Sequence, residues 1–228
     1  AMNLCPRLRG RPHCQQAAIS REDILHKAFI AFAQQGYDGV TLRQLASACG
    51  VSDSLLHHHF GSKPKLWQEA ADNYIAPLMN TLTANLEDLA QSHHPAYALR
   101  QNLPQSLKNL VANPMALAFI FREGDNNNER SNYLRQHYMR PYLARLDDLF
   151  TQAVNDGHFR PIPSAARHVL ILGFLRSLVI PAHLQEELAP HLQTPQLTAA
   201  LIDEIATLLI SGFSTSQHLS AFGAIPHA

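Results

Sequence analysis

From Ser20 onward, apolar residues recur at three- and four-residue intervals, and no β-branched run alternates with polar residues. That periodicity buries one stripe of a helix and cannot bury one face of a strand, so it predicts an all-α chain. Ile24, Leu25, Ala28, Phe29 and Phe32 make the first stripe. Ser20 stands where a helix is capped, with Asp23 close to the donors of the first turn, and Gly36 is a natural stop. Thr41 caps a second, short helix with Leu42, Leu45 and Ala46 inside, ended by Gly50. Ser52 caps a third, in which Leu56 and Phe60 point inward four residues apart. Two short helices joined by a brief turn containing glycine form the helix-turn-helix pattern.

Longer helical stretches follow Lys63: 64–91 with a bend at Pro77, 95–112, 114–123, 129–156, 164–180 and 195–213. The expected organisation is a disordered basic arm over 1–19, a small three-helix helix-turn-helix domain over 20–66, and a larger helical domain over 67–228. Charge divides the same way. Residues 1–65 carry eight basic side chains (Arg7, Arg9, Arg11, Arg21, Lys27, Arg43, Lys63, Lys65) against four acidic ones, while the whole chain is neutral. A basic head on an acidic body suits a polyanionic partner. Cys5, Cys14 and Cys49 are an odd set without C-x-x-C spacing, which argues for a reducing compartment. The arginines near the start precede no apolar run, and "VLILGFLRSLVIP" is too short to span a bilayer and contains Arg176. The expectation is a soluble cytoplasmic protein that does not enter a membrane.

The stretch "ILHKAFIAFAQQGYDGVTLRQLASACGVSDSLLHHHFGSKPKLW", Ile24 to Trp67, resembles the DNA-binding domain of tetracycline-repressor-type (TetR family) transcription regulators. The matching positions include Ile24, Leu25, Ala28, Phe32, Gly36, Thr41, Ala46, Gly50, Val51, Ser52, Leu56, His59, Phe60, Ser62, Lys63 and Leu66. Leu45 stands for the commoner isoleucine. "DGHFRPIPSAA" resembles, more weakly, the turn before the family's dimerisation helices. Two departures stand out. His57 replaces a tyrosine whose hydroxyl reaches a DNA phosphate in the family, and Pro64 replaces a glutamate, tolerable in the first turn of a helix.

A recognition helix packs one face on its own domain and turns the other into the major groove. Val51, Leu56 and Phe60 take the packing side, leaving Ser52, Asp53, Ser54, His57 and His58 outward. Consecutive helical residues diverge by about 100°, so His57, His58 and His59 do not share a metal; His59 packs inward. Arg43 matches a position from which the family contacts a base, and its fork suits guanine O6 and N7. Asp53 either accepts from cytosine N4 or complements its helix N-terminus. Thr41 and Ser52 are caps at helix ends whose free N–H groups hold phosphates, and Lys63 is the phosphate-contacting lysine. Arg7, Arg9 and Arg11 either enter a minor groove or form an unstructured leader. Cys49 reads as a small buried filler.

The resemblance implies an effector cavity in the larger domain. Phe121, Arg122, Tyr138, Tyr142, Phe174 and Arg176 are the candidate ligand-binding residues. Arg176, in a strongly apolar helix, needs a partner, either an anionic effector or an acid of a second subunit. The reading is a homodimeric repressor on a palindromic double-stranded operator, joined through helices 164–180 and 195–213 and released by a small-molecule effector, with no cofactor and no metal. The same module under a protein partner or a redox signal is one alternative. An α-helical enzyme is another, which no Ser/His/Asp, phosphate-loop or metal constellation supports.

Overall fold

A computed structural model describes residues 19–124, 126–177 and 199–215. The N-terminal arm, residues 178–180 and residues 195–198 therefore lie outside the described residues. What is described is helical, with one isolated antiparallel bridge between Phe159 and Ser214.

α1 (Arg21–Gly39) opens on a reciprocal cap. The Ser20 hydroxyl accepts the Asp23 N–H at 3.0 Å while the Asp23 carboxylate accepts the Ser20 N–H at 3.1 Å. Those hydrogen bonds hold the Asp23 carboxyl below the usual range. Gly36 adopts φ 75°, breaking the helical conformation inside the last turn. Thr41 and Gln44 repeat the capping box at α2 (Leu42–Cys49), which ends on Gly50 in the left-handed region. Ser52 then accepts the Leu55 N–H and starts α3 (Asp53–Phe60). α4 (Lys63–Tyr74) follows, with Ser62 as cap and Pro64 in the first turn. Ile24, Leu25, Phe32, Leu45, Leu56, Phe60 and Leu66, all buried, close the small core between them. Each such side chain contributes about 1.5–3 kcal/mol.

The body begins with α5 (Ala76–Ser92), α6 (Pro95–Val111) and α7 (Pro114–Gly124). The expected bend at Pro77 is a break at Ile75, because a proline ring collides with the carbonyl four residues earlier. The stretch 129–156 is likewise interrupted. α8 (Glu129–Leu134) passes into a π-turn over Arg135–Met139 before α9 (Arg140–Asn155). Pro141 has no N–H for the His137 carbonyl, and the Arg140 N–H reaches back five residues to Arg135 O. α10 (Ser164–Ser177) and α11 (Ala199–Phe213) complete the described helices. α6 is the hub, packing against α5, α7, α9, α10 and α11.

α1 belongs to both halves, because it packs against α7 as well as against α2 and α4. Phe29 stacks on Tyr74 at 4.4 Å and on Phe119 at 5.3 Å, and Trp67 stacks on Phe119 at 5.3 Å. The head is thus bolted to the body by aromatic rings rather than hung on a linker.

Candidate DNA-binding face and effector cavity

The helix-turn-helix positions its outward side chains by burying their neighbours. Leu45, Ala46 and Cys49 of α2, and Leu56 and Phe60 of α3, are buried, so Arg43, Asp53, Ser54, His57 and His58 are exposed. Thr41 and Ser52 are exposed at the two caps, and the Ser52 and Ser54 hydroxyls lie 3.0 Å apart. His57 is further constrained, with Nδ1 2.9 Å from the Gly61 carbonyl. Gly61 takes φ 70°, a conformation that lets the chain turn sharply after α3. His59 is half-buried, with its ring against those of His58 and Phe60. Burial pushes the Cys49 thiol up, away from a reactive thiolate.

Lys63 differs from the other expected DNA contacts. It is half-buried, its ammonium 4.0 Å from the centroid of the Tyr37 ring, and desolvation lowers its pKa. Arg130 of α8 approaches the same ring at 3.6 Å and holds the buried Glu123 of α7 through Nε at 3.0 Å. Body and head therefore meet at Tyr37 through charges as well as aromatics.

Inside the body lies a cavity of about 100 Å³, measured as space open to the centre of a water molecule. A single water needs about 10–15 Å³ by that measure, so there is room for an organic molecule. The walls come from α5, α6, α7, α9, α10 and α11 and are mostly leucine, isoleucine, methionine and phenylalanine. Polar groups enter at two places. On α6 and α9, Asn102, Ser106 and Tyr142 form a buried hydrogen-bonded cluster. On α9 and α10, Arg167 binds the Asp147 carboxylate and the Ile162 carbonyl, with its guanidinium 4.0 Å over the Phe150 ring. His168 Nε2 comes within 3.3 Å of Asp147.

Of the candidate ligand residues, Phe121 and Tyr142 line this cavity. Arg122 is exposed and Phe174, half-buried, is not part of the lining. Tyr138 is turned away, donating to Asp72 alongside Tyr133. Arg176 is exposed on α10, with its guanidinium 5.8 Å from the Phe121 ring. Asn102, Ser106, Asp147, Arg167 and His168 are additions that the sequence reading lacks. For the first two a signal existed, since both interrupt the apolar row Leu99, Leu103, Leu107 and Leu110 at helical spacing.

α10 and α11 carry a different feature. Val169 is 70% exposed, Leu170 51% and Leu208 64%, whereas Leu175 is 5% exposed and belongs to the core. Among the described residues no group of three or more His, Cys, Asp or Glu is placed to hold a metal ion, and no helix is long and apolar enough to cross a membrane.

The described residues thus join a capped helix-turn-helix, with the outer side of α3 exposed, to a helical body that holds a cavity. The family model for bacterial regulatory proteins of the tetR family matches residues 24–70. The HTH-type transcriptional repressor AcnR of Corynebacterium efficiens is 41% identical over 66 residues, 29% of this chain and 35% of that protein. The match to AcnR thus spans about a third of its length. The HTH-type transcriptional repressor KstR2 of Mycolicibacterium smegmatis is 24% identical over 163 residues, 64% of this chain and 70% of that one. Among solved structures, the TetR family transcriptional regulator PfmR from Thermus thermophilus superposes with a TM-score of 0.64 at 20% identity, covering 87% of this chain and 99% of that one. The ketosteroid transcriptional regulator KstR2 of Mycobacterium tuberculosis gives 0.61 at 20% identity, covering 88% and 98%. The likeness to the tetR family of bacterial regulatory proteins is carried by residues 24–70.

Proposed function

We propose that the protein is a cytoplasmic homodimeric repressor that grips a palindromic operator and lets go when an apolar small molecule fills the cavity of its body. The observation that carries this reading is the position of α7. Its Leu117, Ile120 and Phe121 line the cavity, while the same helix packs on α1 of the DNA-binding head. A ligand that favours one setting of α7 thereby favours one orientation of the head. Its leverage equals the difference in its affinity for the two settings.

Thr41, Arg43, Ser52, Asp53, Ser54, His57, His58 and Lys63 are the proposed DNA contacts. Arg43 reads a base and the helix ends hold phosphates. The exposed Val169, Leu170 and Leu208 supply an apolar surface for an isologous contact between two copies. The residues 1–19, 20–66 and 67–228 then divide into arm, reader, and sensor with dimer contact. A redox input through Cys49 in place of a ligand is disfavoured by its burial and raised pKa.

Selection of bound sequences from a random double-stranded library tests the reading. The expected product is an inverted repeat bound by two protomers. Recovery of an asymmetric site bound by one protomer overturns the dimeric part, and absence of any enriched sequence overturns the operator part.

A further inference from the structure

Asn102 is 1% exposed, and its Nδ2 has no hydrogen-bond partner. Its neighbours explain why that donor is left over. The Ser106 hydroxyl donates to Asn102 Oδ1 at 3.0 Å, and the Tyr142 hydroxyl donates to Ser106 Oγ at 3.1 Å, itself 3.4 Å from Oδ1. Burial raises the Tyr142 pKa, which keeps that hydroxyl protonated and donating. Both hydroxyl hydrogens are thus spent within the cluster, and the unspent capacity is a pair of amide hydrogens at the cavity wall. A buried donor without an acceptor is a standing demand for one.

The charge in the cavity is already matched. Arg167 is 8% exposed and gives its guanidinium to Asp147, to the Ile162 carbonyl and to the Phe150 ring. A carboxylate ligand would have to displace Asp147 to gain a cation, and would leave that acid buried without its partner. Beyond these groups the wall carries His168, whose Nε2 lies 3.3 Å from Asp147, and is otherwise hydrocarbon.

We propose that Asn102 Nδ2 is the anchoring donor of the cavity, and that the occupant is an uncharged, largely apolar molecule bearing a carbonyl oxygen. This rests on the reading of the cavity as an effector site.

Displacement of the neutral fluorophore N-phenyl-1-naphthylamine from the full chain, by three probes of one length, tests it: 2-nonanone, n-nonane and nonanoate. The ketone should bind about 3- to 10-fold more tightly than the alkane, the ratio one net hydrogen bond supplies, and more tightly than the carboxylate. Asn102→Leu, similar in size but without the donor, should remove the ketone's advantage over the alkane, whereas Tyr142→Phe should keep it. The infrared carbonyl stretch of 2-nonanone bound to the unaltered protein gives a readout that does not depend on any variant folding. It should lie below the value in hexane.

Equal affinity for ketone and alkane, or an unshifted stretch, overturns the donor assignment and leaves the cavity standing, with water on Nδ2. Tightest binding by nonanoate overturns the preference for a neutral ligand. Failure of the dye and all three probes to bind overturns the cavity reading itself, and this proposal with it.

Discussion

His57 shows how one hydrogen bond sets the chemistry of an exposed ring. The Gly61 carbonyl can only accept, so in neutral His57 the hydrogen sits on Nδ1 and Nε2 presents a lone pair. A lone pair cannot donate to a phosphate. His57→Tyr, which supplies a hydroxyl donor at this position, should therefore bind the operator more tightly than the unaltered protein. Equal affinity of the two would assign position 57 no phosphate contact. Arg43, exposed at the start of α2, should behave differently. Arg43→Ala should cost about 1–3 kcal/mol of discrimination at particular base pairs, measured by competition between an operator and its single-pair variants. An equal loss on every variant would make it a phosphate contact instead.

Among the elements, what the sequence revealed and what it hid follow the range of the forces involved. The caps at Ser20, Thr41 and Ser52 and the stops at Gly36 and Gly50 are local, so each was readable from a few neighbouring residues. The π-turn at Arg135–Met139 was hidden, because proline at 141 signals an interruption without fixing its form. The cavity was hidden for another reason. Tyr138 and Tyr142 are four residues apart on one chain segment, yet Tyr138, inside the π-turn, reaches Asp72 and Tyr142, on α9, enters the core. Periodicity also names the apolar face of α10 without saying what covers it. Leu175 is core and Leu170 is not. Leu208→Glu combined with Val169→Glu should therefore yield a folded monomer by sedimentation. Leu175→Ala should instead lower stability by about 2–5 kcal/mol in denaturant titration. A double variant that remains dimeric would place the subunit contact elsewhere.

For the whole molecule, the junction at Tyr37 matters most. Arg130 sits between Glu123, which is 3% exposed, and the Tyr37 ring that also carries Lys63. Arg130→Ala strands a buried carboxylate and should cost about 3–5 kcal/mol. Arg130→Met with Glu123→Leu should recover most of that, read as the midpoint of thermal unfolding. Equal destabilisation by both would mean that the packing of the arginine stem, and not its charge, holds the junction.

Trp67 lies in that same seam. It is the chain's sole tryptophan, 2% exposed, its Nε1 without a hydrogen-bond partner among the described residues, its face on Phe119 of α7 and its edge toward Tyr133. An indole in dry hydrocarbon emits at shorter wavelength than one in water. The molecule therefore carries its own optical gauge, and any sliding of the head against α7 should register as a change in colour or brightness with no label attached.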